Sequence, residues 1–131
     1  MFYLDTSAAL KLLVEEVDSR AFAAFYDSRQ QASWVSSALL RIELSRAVLR
    51  IMPALLPNAR DLLRAFSFIT VSDDIVDGAT NEPDRMLRTL DAIHLATARI
   101  LVSELDAFVS YDDRLVAAAG AAGIPTASPR D

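Results

Sequence analysis

Two hydrophobic patterns alternate along the chain. Short continuous apolar runs at 1–4, 32–36, 68–71 and 107–110 read as strands buried on both faces, and 124–127 reads as an edge strand that tolerates Pro125. Between them, apolar residues spaced three or four apart predict helices. The first covers 7–14, capped by Thr6 and Ser7, and the second starts at an Asp18 cap and runs past Phe25. A long helix over 38–52 is capped by Ser36 or Ser37 and stopped by Pro53. A fourth runs from Pro57 through Leu62, Leu63 and Phe66, and a short one follows the Ser72-Asp73-Asp74 cap. Gly78 to Pro83 reads as a loop, 84–103 as a strong helix, and 112–119 as a last helix ended by Gly120 and Gly123. Strands and helices alternating in this way predict an α/β fold with a parallel sheet of four to five strands covered on both faces. No repeat or linker interrupts the pattern, so 1–131 is expected to be one domain.

Composition narrows the chemistry. With no cysteine, thiol catalysis, disulfides and zinc–thiolate sites are excluded, and the single histidine, His94, excludes a multi-histidine metal site within one chain. No serine lies in a G-x-S-x-G elbow, which disfavours a Ser-His-Asp hydrolase. No apolar run is long enough for a membrane span and the start lacks a basic leader, so a cytoplasmic protein is expected. The net charge of −5 argues against tight nucleic-acid binding but not against turnover of a nucleic acid.

Four carboxylates stand where a core alone does not explain them. Asp5 continues the first buried run, and Asp112 follows Val109-Ser110-Tyr111 at the end of the fourth. Glu43 lies within the stripe Leu40, Leu44, Ala47, Val48 and Ile51, and Asp91 lies among Leu87, Leu90, His94, Ala98 and Leu101. A buried, unpaired carboxylate is costly. Working groups of an open parallel sheet sit outside the carboxyl ends of its strands, so Asp5 and Asp112 share one edge if strands one and four are neighbours. A hard divalent cation would relieve the repulsion among four converging carboxylates. Each residue also has a plainer reading. Asp5 and Asp112 can cap helices, Glu43 can pair with Arg46 or Arg50, and Asp91 can pair with Arg88 or His94. His94 reads as a packed core histidine before it reads as a general base. Tyr111 and Trp34 can stack on bases, although burial suits the tryptophan better.

The segments Leu4-Asp5-Thr6-Ser7-Ala8, Ile42-Glu43-Leu44, Leu90-Asp91-Ala92-Ile93-His94-Leu95-Ala96-Thr97-Ala98 and Ser110-Tyr111-Asp112-Asp113-Arg114-Leu115 resemble, in this order, the PIN-domain ribonucleases, and most closely the VapC toxins of bacterial toxin–antitoxin pairs. The resemblance covers essentially the whole chain. It implies an α/β/α sandwich whose acidic quartet, here Asp5, Glu43, Asp91 and Asp112, binds Mg²⁺ or Mn²⁺ for endonucleolytic cleavage of RNA. It makes Thr6 and Ser110 supporting hydroxyls, with Ser110 standing where the family more often has threonine. Asp113 competes with Asp112 for the fourth position, and the family's spacing favours Asp112. The resemblance further implies a homodimer and a VapB-type antitoxin that blocks the groove, and the apolar stretch from Ala54 to Phe68 is a candidate for either contact. Two alternatives stand beside it: a catalytically silent PIN-like binding module, and a nuclease of the same chemistry acting on single-stranded DNA. A phosphoacceptor receiver domain is disfavoured because the only lysine, Lys11, lies in the first helix.

Overall fold

The computed structural model describes residues 1–131. Five parallel strands form one sheet in the order β3-β2-β1-β4-β5. They are β1 (Phe2–Leu4), β2 (Trp34–Ser37), β3 (Ser67–Ile69), β4 (Ala107–Val109) and β5 (Thr126–Ala127). Seven α-helices connect them: α1 (Thr6–Lys11), α2 (Ser19–Asp27), α3 (Leu39–Ile51), α4 (Leu56–Leu63), α5 (Asp73–Thr80), α6 (Thr89–Ile100) and α7 (Asp113–Ala121). No helix is long and apolar enough to cross a membrane.

Strand alternation sorts the core into two layers, because successive side chains point to opposite faces. Phe2, Leu4, Trp34, Ala107 and Val109 pack with residues of α1 to α4. Tyr3, Val35 and Phe108 point the other way, onto Leu95 and Ala98 of α6 and Leu115 and Ala119 of α7. The result is an α/β/α sandwich. From β1 the chain steps outward to β2 and β3, then returns to lay β4 on the other side of β1. The order therefore reverses between β1 and β4, where Leu4 is in register with Val109. That reversal opens a crevice at the carboxyl ends of these two strands.

Several boundaries depart from the sequence reading. The predicted loop at Gly78 is helical: Ser72 caps α5, and Gly78 packs so close to α6 that an added Cβ would lie 3.4 Å from the Ala96 Cβ. The long helix expected over 84–103 starts only at Thr89, because the Asp84 side chain accepts a hydrogen bond from the Met86 N–H and closes a turn instead. Gly120 lies inside α7; Gly123, at φ 79°, supplies the left-handed residue beyond its end. Leu90 and Ile51, expected to be covered, are 45% and 48% exposed. The stretch from Ala54 to Phe68 is not a free apolar face. Ala59, Leu63 and Phe66 bury it on the chain's own core.

Candidate active site

The crevice is built around Asp5. Its backbone is extended, and its side chain caps α1, with Oδ1 accepting from the Ala8 N–H at 3.0 Å. The Ser7 hydroxyl donates to the same oxygen at 2.7 Å, and the Ser110 hydroxyl donates to Oδ2 at 2.6 Å. Ser7 Oγ accepts from the Tyr111 N–H, and Ser110 Oγ accepts from the Asp112 N–H. These bonds stitch the end of β1 to the end of β4 and hold a carboxylate that is only 3% exposed. The plain reading of Asp5 as a helix cap therefore holds, and the same bonds fix the direction in which its carboxylate faces.

Glu43 comes from the second turn of α3, Asp91 from the first turn of α6, and Asp112 is the cap of α7, accepting from the Leu115 N–H at 3.0 Å. All four carboxylates line one cavity of about 250 Å³, together with Thr6, Ser7, Arg88 and His94. A larger depression of about 330 Å³ between α5 and α6 holds none of the four. Asp113 points outward, so Asp112 faces the cavity. The alternative partners considered for Glu43 and Asp91 are not used. Glu43 Oε1 lies 2.7 Å from His94 Nε2, and Asp91 has neither ion pair nor hydrogen bond.

Of the two expected supporting hydroxyls, Ser110 holds the Asp5 carboxylate and Thr6 does not touch it. Ser7 does the orienting expected of Thr6, whose Oγ1 is the only buried side-chain polar atom left without a hydrogen-bond partner. Adjacent hydroxyls in a first helical turn look alike in sequence; only the cap geometry separates them. His94 belongs to the cavity wall and not merely to the core, and its other nitrogen lies 2.6 Å from the Tyr3 hydroxyl. The histidine itself was visible in the sequence, but its partner on β1 carried no signal. Trp34 is buried against Phe2 and donates to the Arg29 carbonyl. Tyr111 donates to the Pro129 carbonyl, and burial pushes its phenol up to about 12. The Trp34 ring is not free to stack on a base, and the half-buried Tyr111 ring already packs against Phe22 with the Lys11 ammonium over it.

Burial raises the Asp5 carboxyl above the ordinary carboxylate value, despite the hydrogen bonds from Ser110, Ser7 and Ala8. Burial also raises Asp91, and the charges of Asp112 and Asp5 push it further. A carboxyl with a raised folded-state pKa binds protons more tightly folded than unfolded, so its contribution to stability falls as pH climbs above the unfolded value. A divalent cation held by these carboxyls would compete with those protons. The thermal stabilisation conferred by Mg²⁺ or Mn²⁺ is thus expected to grow from pH 5 to pH 8, measured as melting temperature with cation minus melting temperature with EDTA. A difference that is flat or shrinks with pH would show that these carboxyls do not hold the ion.

The family model for the PIN domain matches residues 2–121. The chain belongs to the PIN-domain family. Among curated PIN-domain relatives, it is similar to Ribonuclease VapC35 of Mycobacterium tuberculosis, at 41% identity over 98% of this chain and 97% of the relative. Two solved structures share the fold at low identity. Mycobacterium tuberculosis VapC20, described as a sarcin-ricin loop cleaving toxin, superposes with a TM-score of 0.75 at 15% identity over the whole of both chains. VapBC2 of Rickettsia felis, bound to a DNA fragment from the promoter, gives 0.73 at 12% identity over 98% of this chain and 99% of that one.

Proposed function

We propose that this PIN domain, a single domain spanning 1–131, is a metal-dependent endoribonuclease that serves as the toxin of a toxin–antitoxin pair. It acts in the cytoplasm as a homodimer, arrests growth by cutting RNA needed for translation, and is held in check by a VapB-type antitoxin. The observation that carries the reading is the meeting of Asp5, Glu43, Asp91 and Asp112 in one cavity at the switch point of the sheet. Ribonuclease is the description of the relative VapC35 and toxin that of the fold neighbour VapC20, and a toxin calls for a neutralising partner.

The donor set suits Mg²⁺ or Mn²⁺. All four candidate ligands are hard oxygen donors, and Asp91 has no protein partner to give up. No three His, Asp or Glu side chains converge tightly enough to hold an ion by themselves. Mg²⁺ does not require such a cage, since it usually keeps several waters and takes one or two carboxylates directly. In this reading the direct ligands are drawn from Asp5, Asp91 and Asp112, no more than two at once, and the remaining acids, Glu43 among them, act through bound water. The ion would activate a water and offset charge developing on the phosphate. The chain's own part is to fix Asp5 through Ser7 and Ser110, to aim Glu43 and Asp91 from two different helices, and to keep the acids on one wall.

RNA needs positive charge beside this wall despite the net charge of −5. A groove of about 390 Å³ adjoins the cavity and shares Thr6, Glu43 and Leu90 with it, and Arg46 and Arg50 line it one helical turn apart. Neither arginine forms an ion pair. The Arg46→Ala/Arg50→Ala protein is expected to show a raised KM with kcat nearly kept. Its salt dependence should be shallower by about one unit of slope for each phosphate that is no longer neutralised. Steady-state cleavage of a defined RNA across salt concentrations checks this; an unchanged salt slope would remove the groove from the RNA path.

The deciding experiment incubates purified protein with a mixed cellular RNA pool, with Mg²⁺ or Mn²⁺ and then with EDTA, beside Asp5→Asn. Discrete cuts that need the ion and vanish with Asp5→Asn are expected. Cuts only in added single-stranded DNA would establish the DNA-directed alternative, and no cleavage by folded, ion-loaded protein would favour the silent binding module.

A further inference from the structure

We infer that Tyr3 and His94 form a positioning relay for Glu43, an inference that rests on the metal-dependent reading above. Glu43 sits on a long, rotatable stem on α3, opposite three other acids and within reach of Arg46 on its own helix. Left alone, repulsion from Asp91 and attraction to Arg46 would both draw it out of the cavity. The His94 ring holds it in.

The chain of bonds runs inward from the cavity. Glu43 Oε1 is 2.7 Å from His94 Nε2, and an ionised carboxylate only accepts, so the proton of this bond belongs to Nε2. In the neutral ring Nδ1 is then an acceptor, and the Tyr3 hydroxyl, 2.6 Å away, donates to it. The same phenol oxygen accepts from the Ser37 N–H at 3.1 Å. Tyr3 is fully buried and its ring is stacked on Phe108, so the phenol is not free to swing. Burial also raises its pKa, so it stays protonated and able to donate. His94 is itself 1% exposed, wedged on α6 between β1 and α3. The relay occupies Oε1 and leaves Oε2 of Glu43 without a protein partner. This is the arrangement by which outer groups aim a carboxylate at an ion.

A buried tyrosine–histidine pair can exist only to satisfy its own polar atoms, and that reading predicts no link to Glu43. Mn²⁺ titration by calorimetry, in the absence of RNA, separates the two. His94→Leu is expected to weaken Mn²⁺ binding by roughly 10- to 100-fold, the usual cost of losing an outer-shell partner. His94→Gln, which can place an N–H near the former Nε2, is expected to recover most of that loss, and Tyr3→Phe to fall between. In a Glu43→Gln background, His94→Leu is expected to cost little further, since the bond it removes acts through that carboxylate. Cleavage rates should follow the same ranking. Undiminished Mn²⁺ binding by folded His94→Leu, or equal losses in the Glu43 and Glu43→Gln backgrounds, would overturn the relay. Should His94→Leu not fold, His94→Gln and Tyr3→Phe carry the same comparison: a loss in folded His94→Gln as deep as that of Glu43→Gln itself would equally overturn it. If the parent protein takes up no Mn²⁺ and cuts no RNA, the metal-dependent reading falls, and the relay falls with it.

Discussion

Asp5→Asn is expected to lower RNA cleavage by more than about a hundredfold while leaving the metal-free protein as stable as before, or more so. The activity loss should exceed the roughly 10- to 100-fold typical of outer-shell changes, because a proposed direct ligand is removed. The stability expectation comes from burial. The carboxylate is 3% exposed, and its pKa is raised by desolvation, so the charged form costs the folded protein at neutral pH. Asparagine keeps an acceptor for the Ala8 N–H and the Ser7 hydroxyl, and its amide can donate to Ser110 Oγ. Melting temperatures in EDTA, with cleavage measured beside them, check both halves. A metal-free protein destabilised by about 2 kcal/mol or more, the scale of losing a hydrogen bond to a charged group, would mean that the bond from Ser110 outweighs the cost of burying the charge.

Phe108→Ala is expected to remove about 3–5 kcal/mol of stability, a large share of the roughly 5–15 kcal/mol available to a domain. Phe108 is fully buried at the centre of β4, and its ring lies nearly parallel to that of Tyr3 with centroids 5.1 Å apart. The neighbouring strands cannot close on the gap, since Phe108 is locked in register with Tyr3 on one side and Thr126 on the other. Urea denaturation measures the loss. A cost under about 1 kcal/mol would mean that the α6–α7 layer collapses into the cavity with little resistance.

The sheet and the acidic cavity were legible for a simple reason. A buried run that ends in an acid, as Leu4-Asp5 and Val109-Ser110-Tyr111-Asp112 do, marks the carboxyl end of a parallel strand, and there are few places such an acid can point. Glu43 and Asp91 stood out because each interrupts an apolar stripe. What periodicity could not give was the partner of each group. Nothing around His94 in the sequence points to a phenol 91 residues earlier, and choosing between Thr6 and Ser7 requires the cap's dihedral angles. Stripes also overstate burial at their ends: Leu90 and Ile51 fit the helical period, yet no other element reaches far enough to cover them. The start of α6 is hidden in the sequence because Asp84 can serve a turn as readily as a helix.

The pairing of β1 with β4 bears on when activity can arise during synthesis. The hydrogen bond from Ser110 to Asp5 spans 105 residues, so the first acid of the cavity is made long before the hydroxyl that holds its Oδ2. Contacts of such separation form late and slowly, after most of the chain has collapsed. A nascent chain carrying only β1, β2 and β3 holds Asp5 and Glu43 but lacks Asp91, Asp112 and both Ser110 and His94. The four acids can therefore share one cavity only after the segment that carries α6 and the start of α7 is free to fold onto β1.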